Sequence, residues 1–176
     1  MLDAYMDNTL VAPGNAIVLR QCSYGQGVRF DFADAYQDQV APRLCFHDGL
    51  SEPRRPAVPL DWLRLIYEEG GAQGVKIFGV VAGARLHVHG AEPSSPVTAE
   101  ARVVTNQGRE FLWRTVAISE PDGRAEFRVP YASGVNGSVL ASVWTVREPG
   151  RTAQVSVTEK QLVLGQGLEV DLGSGD

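Results

Sequence analysis

The 176-residue chain is short of cysteine, histidine, excess positive charge and long apolar runs, and each shortage closes off a class of function. Lys and Arg number 16 against 21 Asp and Glu, for a net charge of −5. That disfavours electrostatic binding to nucleic acid, since backbone phosphates are gripped by a cationic surface. No apolar stretch approaches the roughly 20 residues that span a bilayer as a helix. The opening "MLDAYMDNTL" carries acids where a secretory leader needs a basic region and an apolar core. A protein that works outside the cytoplasm would therefore carry this chain as a fragment.

The two cysteines, Cys22 and Cys45, are compatible with two states. A bridge would close a loop of roughly 24 residues and stabilise the fold by about 3 kcal/mol in the chain-entropy picture. Both can equally be buried thiols. The spacing does not choose between them, because a disulfide is decided by three-dimensional geometry.

What the chain has in quantity is turn chemistry and alternation. Gly 19 and Pro 10 favour many short elements over long helices. Residues 1–59 form an irregular, mixed lead-in with turns at Pro13-Gly14, Gly25-Gln26-Gly27 and Asp48-Gly49. Within it "AIVLRQCSY" and "RLCFHD" read as strands and "DFADAYQDQVA" as one short helix. It ends at "SEPRRPAVP", where three prolines rule out a regular helix or central strand. "RLIY" favours a strand ended by Gly70-Gly71.

From Val75 onward a period of two dominates. The apolar run "VKIFGVV" suggests a strand covered on both faces. Leu86 and Val88 oppose Arg85, His87 and His89. Val97, Ala99, Ala101 and Val103 oppose Thr98, Glu100 and Arg102, and Ala125, Phe127 and Val129 oppose Arg124, Glu126 and Arg128. "TNQGRE" and "EPDGRA" place glycine where a hairpin wants positive φ. With "SVLASVWTV", "EPGR", "AQVSVT" and "GLEVDL", residues 75–172 read as about seven short antiparallel strands, the pattern of a β-sandwich or small barrel. The chain is thus mainly β: residues 1–59 as lead-in and 60–173 as sandwich, with a candidate division near 133.

Candidate chemistry is thin. His87 and His89 share one strand face, as metal ligands do, but a site needs a third ligand, and His47 and Asp48 are distant in sequence. Two histidines on a wet face are ordinarily just solvated. Asp31, Asp34 and Asp38 fall at helical spacing and read as a solvated face, with weak cation binding as the alternative. No G-x-S-x-G elbow occurs, and neither cysteine has the local signature of a nucleophile. "GVVAGA" and "LGQGLE" lack the strand–loop–helix setting of a phosphate cradle. Asn136-Gly137-Ser138 is an N-glycosylation acceptor sequence. Trp62, Trp113 and Trp144 are isolated and read as core or strand-face residues. No catalytic residue and no cofactor-binding residue is expected in this chain.

In order along the chain, "VAPRLCFHDG", "LDWLRLIYEEGG", "VKIFGVVAGARLHVHGAEPSSPVTAEARVVTNQGREF", "SEPDGRAEFRVPYA" and "VSVTEKQLVLGQGLEV" resemble the tail of archaeal-type oligosaccharyltransferase catalytic subunits. The likeness spans roughly residues 40–172 and includes, as its last piece, a late strand over the "VSVTEKQLVLG" region. The "DGRAEFRVP" style is shared with β-sandwiches of the transthyretin-like or carboxypeptidase-regulatory-like type. The resemblance implies a peripheral, extracytoplasmic domain of a membrane enzyme that moves a lipid-linked glycan onto asparagine in N-x-S/T acceptors, using Mn²⁺ or Mg²⁺. The family's Trp-Trp-Asp-Tyr-Gly motif is absent, so no catalytic or acceptor-binding residue carries over, and the task implied is structural. Its partner would be the catalytic core of the same polypeptide, or like subunits.

Two other readings remain. One is a free-standing extracellular binding or assembly module, such as a surface, adhesin or filament subunit, with its own export signal and self-association. The other is a small hydrolase or metal protein built on the two histidines. The last predicts stoichiometric Zn²⁺ binding lost in His87→Ala/His89→Ala; calorimetry at micromolar Zn²⁺ with no heat would remove it.

Overall fold

A computed structural model describes residues 17–21, 28–32, 44, 48–50, 59–70 and 74–173, with backbone alone at 17–21, 28–32 and 135–136. Cys22, Cys45, His47, Asp34 and Asp38, and with them the disulfide question, lie outside the described residues. In the lead-in, β1 (Ile17–Gln21) pairs antiparallel with β2 (Val28–Phe32). Asp31 and Phe32 therefore belong to a strand rather than to the expected helix. Leu44, inside the expected "RLCFHD" strand, is helical.

The body is built on two sheets. β6 (Pro96–Val104) and β7 (Glu110–Ile118) form a long hairpin. Along its other edge β6 pairs with β11 (Trp144–Glu148) and with β10 (Val139–Ala141). β12 (Arg151–Val155) flanks β11, and β9 (Gly134–Asn136) flanks β10, which completes six strands. The second sheet has three: β5 (Ala84–His89) lies between β8 (Ala125–Val129) and β13 (Gly167–Asp171). Inward residues of both sheets share one core, which makes the body a β-sandwich.

Alternation explains why these strands bury what they do. Val97, Ala99, Ala101 and Val103 are all at most 2% exposed, as are Leu86, Val88 and Val129, while the intervening residues face outward. Each of the valines and Leu86 contributes about 1.5–3 kcal/mol by leaving water, and each alanine less. Small residues make room for large ones: Ala101 sits opposite Trp113, and Trp113 meets Trp144 edge to face at 5.3 Å. Trp144 also donates its indole N–H to the Tyr131 carbonyl at 2.9 Å.

Three expectations change here. "EPDGRA" is a turn but not a hairpin: it carries the chain from β7 in one sheet to β8 in the other. One pair, β5–β13, is parallel, the exception among the described strands. The cause is a short helix in place of the late strand, α1 (Glu159–Leu164), which reverses the chain before β13. Its signals are a capping box, in which Thr158 and Gln161 bond each other's backbone N–H, and Gly165 at φ 63° at the C-terminus. Leu162 anchors it in the core.

A third layer sits outside the sandwich. β3 (Leu63–Glu69) pairs antiparallel with β4 (Val75–Val80). β4 is not covered on both faces as "VKIFGVV" suggested: Val75, Ile77 and Val80 are 67%, 47% and 77% exposed. Hydrophobicity alone predicts burial, but β4 pairs with β3 only and no described element lies over its outer face.

Gly123 isolates a close approach. It has φ 77°, and a Cβ there would stand 2.5 Å from the Ala91 carbonyl oxygen; Gly150, with φ 80°, faces open space. The left-handed penalty is common to both. Gly123→Ala is thus expected to destabilise the fold by about 1–3 kcal/mol more than Gly150→Ala, the range for overpacking, as read by chemical denaturation.

Candidate functional site

The densest polar cluster lies where the β3–β4 layer meets the sandwich, and it begins with an irregularity in β3. The register slips between Leu65 and Tyr67, a β-bulge. Leu63 and Leu65 point inward, but after the bulge the phase changes: Tyr67 turns out and Glu68 turns in, to 0% exposure. Ile66 also lies outside, packed over Gly79. A carboxylate is thereby placed in the protein interior, where it needs a charged partner.

The β6–β7 turn supplies it. Thr105, Asn106 and Arg109 reach from the sandwich to β3. Asn106 accepts from the Glu68 backbone N–H and donates to its carbonyl, both at 2.8 Å, as a neighbouring strand would. Thr105 donates its hydroxyl to Glu68 Oε1 at 2.5 Å. Arg109 donates from Nε to Oε2 at 3.0 Å and from an Nη to Oε2 at 2.6 Å.

The same guanidinium holds a second carboxylate. Asp48 accepts from both Arg109 Nη atoms, at 2.7 and 2.9 Å, and from Lys76 Nζ of β4 at 2.8 Å. Asp48 and Lys76 are both largely buried, and Arg109 is 22% exposed at its side chain. Two carboxylates thus meet two cations, with Arg109 also stacked on Phe111 at 5.2 Å. Burial pushes Glu68 up, but the hydrogen bonds from Arg109 and Thr105 outweigh it and hold its pKa below 4.5. Burial opposes charge on Arg109 too, yet Asp48 and Glu68 raise its pKa on balance.

Two further contacts tie the layers. The buried Tyr131 hydroxyl accepts the Leu65 backbone N–H at 2.8 Å, and burial raises the pKa of that phenol. Arg64 makes two bonds to Glu159 of α1, at 2.7 and 2.6 Å.

His87 and His89 lie on the outer face of β5, as the alternation requires. They face Glu126 and Glu169, with His87 Nδ1 3.4 Å and His89 Nε2 2.5 Å from a carboxylate oxygen. A surface groove of about 420 Å³ with Glu120 and Arg124 on its rim contains them. Among the described residues, no three His, Cys, Asp or Glu side chains are arranged to hold a metal ion. Trp113 and Trp144 are core residues, and Trp62 is half-buried before β3. Asn136 ends β9.

The Arg109 cluster was not singled out from the sequence. Asp48 figured as a turn residue and a distant metal ligand, and "TNQGRE" as a turn and a piece of the family resemblance. The available signal was Glu68-Glu69 closing an apolar strand, which needs a cation if either side chain turns inward.

Residues 83–168 match the family described as "Archaeal glycosylation protein B long peripheral domain". Solved structures of an oligosaccharyltransferase from Archaeoglobus fulgidus have the same fold. One, the enzyme AglB with an inhibitory peptide and a dolichol-phosphate, aligns with a TM-score of 0.69 at 16% identity over 84% of this chain. Another, tethered to an acceptor peptide with an NVT sequon, aligns at 0.67 and 16% over 85%. A third, with Zn and sulfate, gives 0.67 and 15% over 81%. This chain spans only about a quarter of each, 24%, 26% and 25%. No curated protein sequence matches it.

Two outcomes are expected from the cluster. Arg109→Met leaves two buried carboxylates facing one cation and should destabilise the fold by about 3–5 kcal/mol; Arg109→Lys, which keeps the charge and loses the fork, should fall between. Because the folded-state pKa of Glu68 is lowered, its contribution is fully present above pH 4.5 and is lost as pH falls through the folded value. Melting temperatures followed from neutral pH to about pH 3 should therefore drop on the acid side, and Glu68→Gln should flatten part of that drop.

Proposed function

We propose, from the premise that residues 83–168 belong to the archaeal glycosylation protein B long peripheral domain family, that this chain is a non-catalytic structural module of a membrane oligosaccharyltransferase. The parent enzyme would transfer a lipid-linked glycan to asparagine in N-x-S/T acceptors on the extracytoplasmic side. No helix among the described residues is long and apolar enough to cross a membrane. The module's own carboxylates at the layer junction are neutralised by Arg109 and Lys76 and are not free for a cation. The described residues do not fit the Mn²⁺ or Mg²⁺ site of such an enzyme, which this reading places elsewhere in the polypeptide.

The observation that carries the structural role is the outer face of β3–β4. Tyr67 and Ile77 are opposite each other in register, Val75 lies two residues along, and Ile66 sits beside them. Tyr67, Val75 and Ile77 are exposed. Contiguous apolar side chains on a sheet face mark a contact surface, and the opposite face is pinned by the Arg109 cluster, so the surface is rigid before contact. The occupant in this reading is the remainder of the same polypeptide, since relatives of this fold carry it within chains about four times as long. The free-standing reading is weaker on the same ground.

Val75→Asp/Ile77→Asp, introduced into the full polypeptide, should leave the domain's own fold intact, because both side chains are solvent-facing. It should accelerate proteolytic release of the module from the core by on the order of tenfold, the effect of about 1.4 kcal/mol. Unchanged release would overturn this docking surface.

A further inference from the structure

Among the described residues, β7 is the longest strand at the rim of a sheet. It pairs with β6 alone, through nine successive positions without a register shift. The two ends of the hairpin set the phase of the ladder: the Thr105 N–H bonds the Arg109 carbonyl and the Ser119 N–H bonds the Ser95 carbonyl, both at 2.9 Å. Bonded positions alternate in an antiparallel pair, so Phe111, Trp113, Thr115 and Ala117 aim their backbone groups at β6. Glu110, Leu112, Arg114, Val116 and Ile118 aim theirs away from it, and among the described residues no group receives them. The side chains show the same open rim. Those five are exposed, and the inward-facing Phe111, Thr115 and Ala117 are only half-buried, whereas Val97, Ala99, Ala101 and Val103 of β6 are sealed.

An open rim of this length invites another strand, and proteins ordinarily blunt it with a proline, a bulge or an inward charge. β7 has none of these. Its two charges, Glu110 and Arg114, point outward, are opposite in sign and lie symmetrically about Leu112. Laid antiparallel against its own copy, the strand is self-complementary: Leu112 faces Leu112, and each Glu110 faces an Arg114. All of these positions aim their backbone groups at the seam, as a bonded ladder requires. A slip of two residues sets Leu112 against Arg114, and a slip of four sets Arg114 against itself, where like charges repel. The neighbouring charges agree with the first register. Within one copy Arg102 pairs with Glu110 at 3.5 Å, and Glu100 pairs with both Arg114 and Arg147 at 2.9 Å. Across the seam the order becomes Arg102, Glu110, Arg114, Glu100, Arg147, alternating in sign throughout.

We propose that β7 is a self-pairing edge: two copies of the polypeptide join by antiparallel β7–β7 addition centred on Leu112, which makes one continuous sheet with a two-fold axis through that residue. The main chain supplies the attraction, and the Glu110–Arg114 pairs select the register. A seam of residues 110–114 is small beside the roughly 800 Å² per partner of a standard interface, so the pair forms where the local concentration is high and dissociates on dilution. The seam uses none of the residues of the β3–β4 docking face, and the inference does not depend on the functional reading above.

The test is disulfide trapping of the full polypeptide in the cells that make it. Leu112→Cys sets two thiols at facing positions with their Cα atoms about 5.5 Å apart, within the span of a disulfide. Mild oxidation is expected to give a covalent dimer whose bridge joins residue 112 to residue 112 by peptide mass mapping, which separates it from any bridge through Cys22 or Cys45. Val116→Cys, four residues along the same face, is expected to stay unbridged. Adding Glu110→Arg to Leu112→Cys should abolish the trapped dimer, and adding Glu110→Arg with Arg114→Glu should restore it. All four positions are exposed, so these variants fold. The proposal is overturned by the absence of a bridge at residue 112, or by a bridge in Val116→Cys. A Leu112→Cys dimer indifferent to Glu110→Arg, or one that the charge exchange does not restore, overturns it equally.

Discussion

One guanidinium joins the two parts of this molecule. Arg109, on the turn between the two longest strands, bonds Glu68 of β3 and Asp48 of the lead-in, and Lys76 of β4 closes the group on the other side of Asp48. A β-sandwich can be stable by aliphatic burial alone, but that force has no direction. The outer layer needs a directional attachment to keep one orientation. A bidentate arginine between two buried carboxylates supplies it, since any rotation of the layer would strand an unpaired charge in the interior.

That attachment shapes the surface. With Glu68 drawn inward by the bulge, Ile66 and Tyr67 are both left outside and join Val75 and Ile77 on one face. The layer turns Leu63 and Leu65 as well as Glu68 toward the sandwich and still carries apolar side chains on its outer face. That apolar outer face is the feature on which the proposed docking role rests. Chemistry is correspondingly sparse: the histidines on β5 are already engaged by Glu126 and Glu169.

Strand-by-strand, much of this was legible in the sequence. Val97 to Val103 and Ala125 to Val129 declared their inward faces by strict alternation, and the structure buries the residues so assigned. The resemblance in "TNQGREF" and "DGRAEFRVPYA" pointed to the family that the comparison finds over residues 83–168. Failures came where a local pattern supports two outcomes. "VKIFGVV" looks fully buried because run length reports hydrophobicity, not neighbours. "TEKQLVLG" contained a capping box that the local reading did not use, and the family resemblance placed a late strand there. A Gly-containing turn such as "EPDGRA" fixes chain reversal but not which sheet the next strand joins.

The sequence by itself determined the class of fold, the positions that fill the sandwich and the absence of a recognisable catalytic motif, because side-chain periodicity and turn residues act over a few neighbours. Only the tertiary structure decided that Glu68, Arg109 and Asp48 meet and that β13 runs parallel to β5. Those outcomes depend on groups far apart in the chain, as with Gly167 of β13 and Arg85 of β5. Coulombic pairing and strand order have no local signature: they are settled when the layers close on one another.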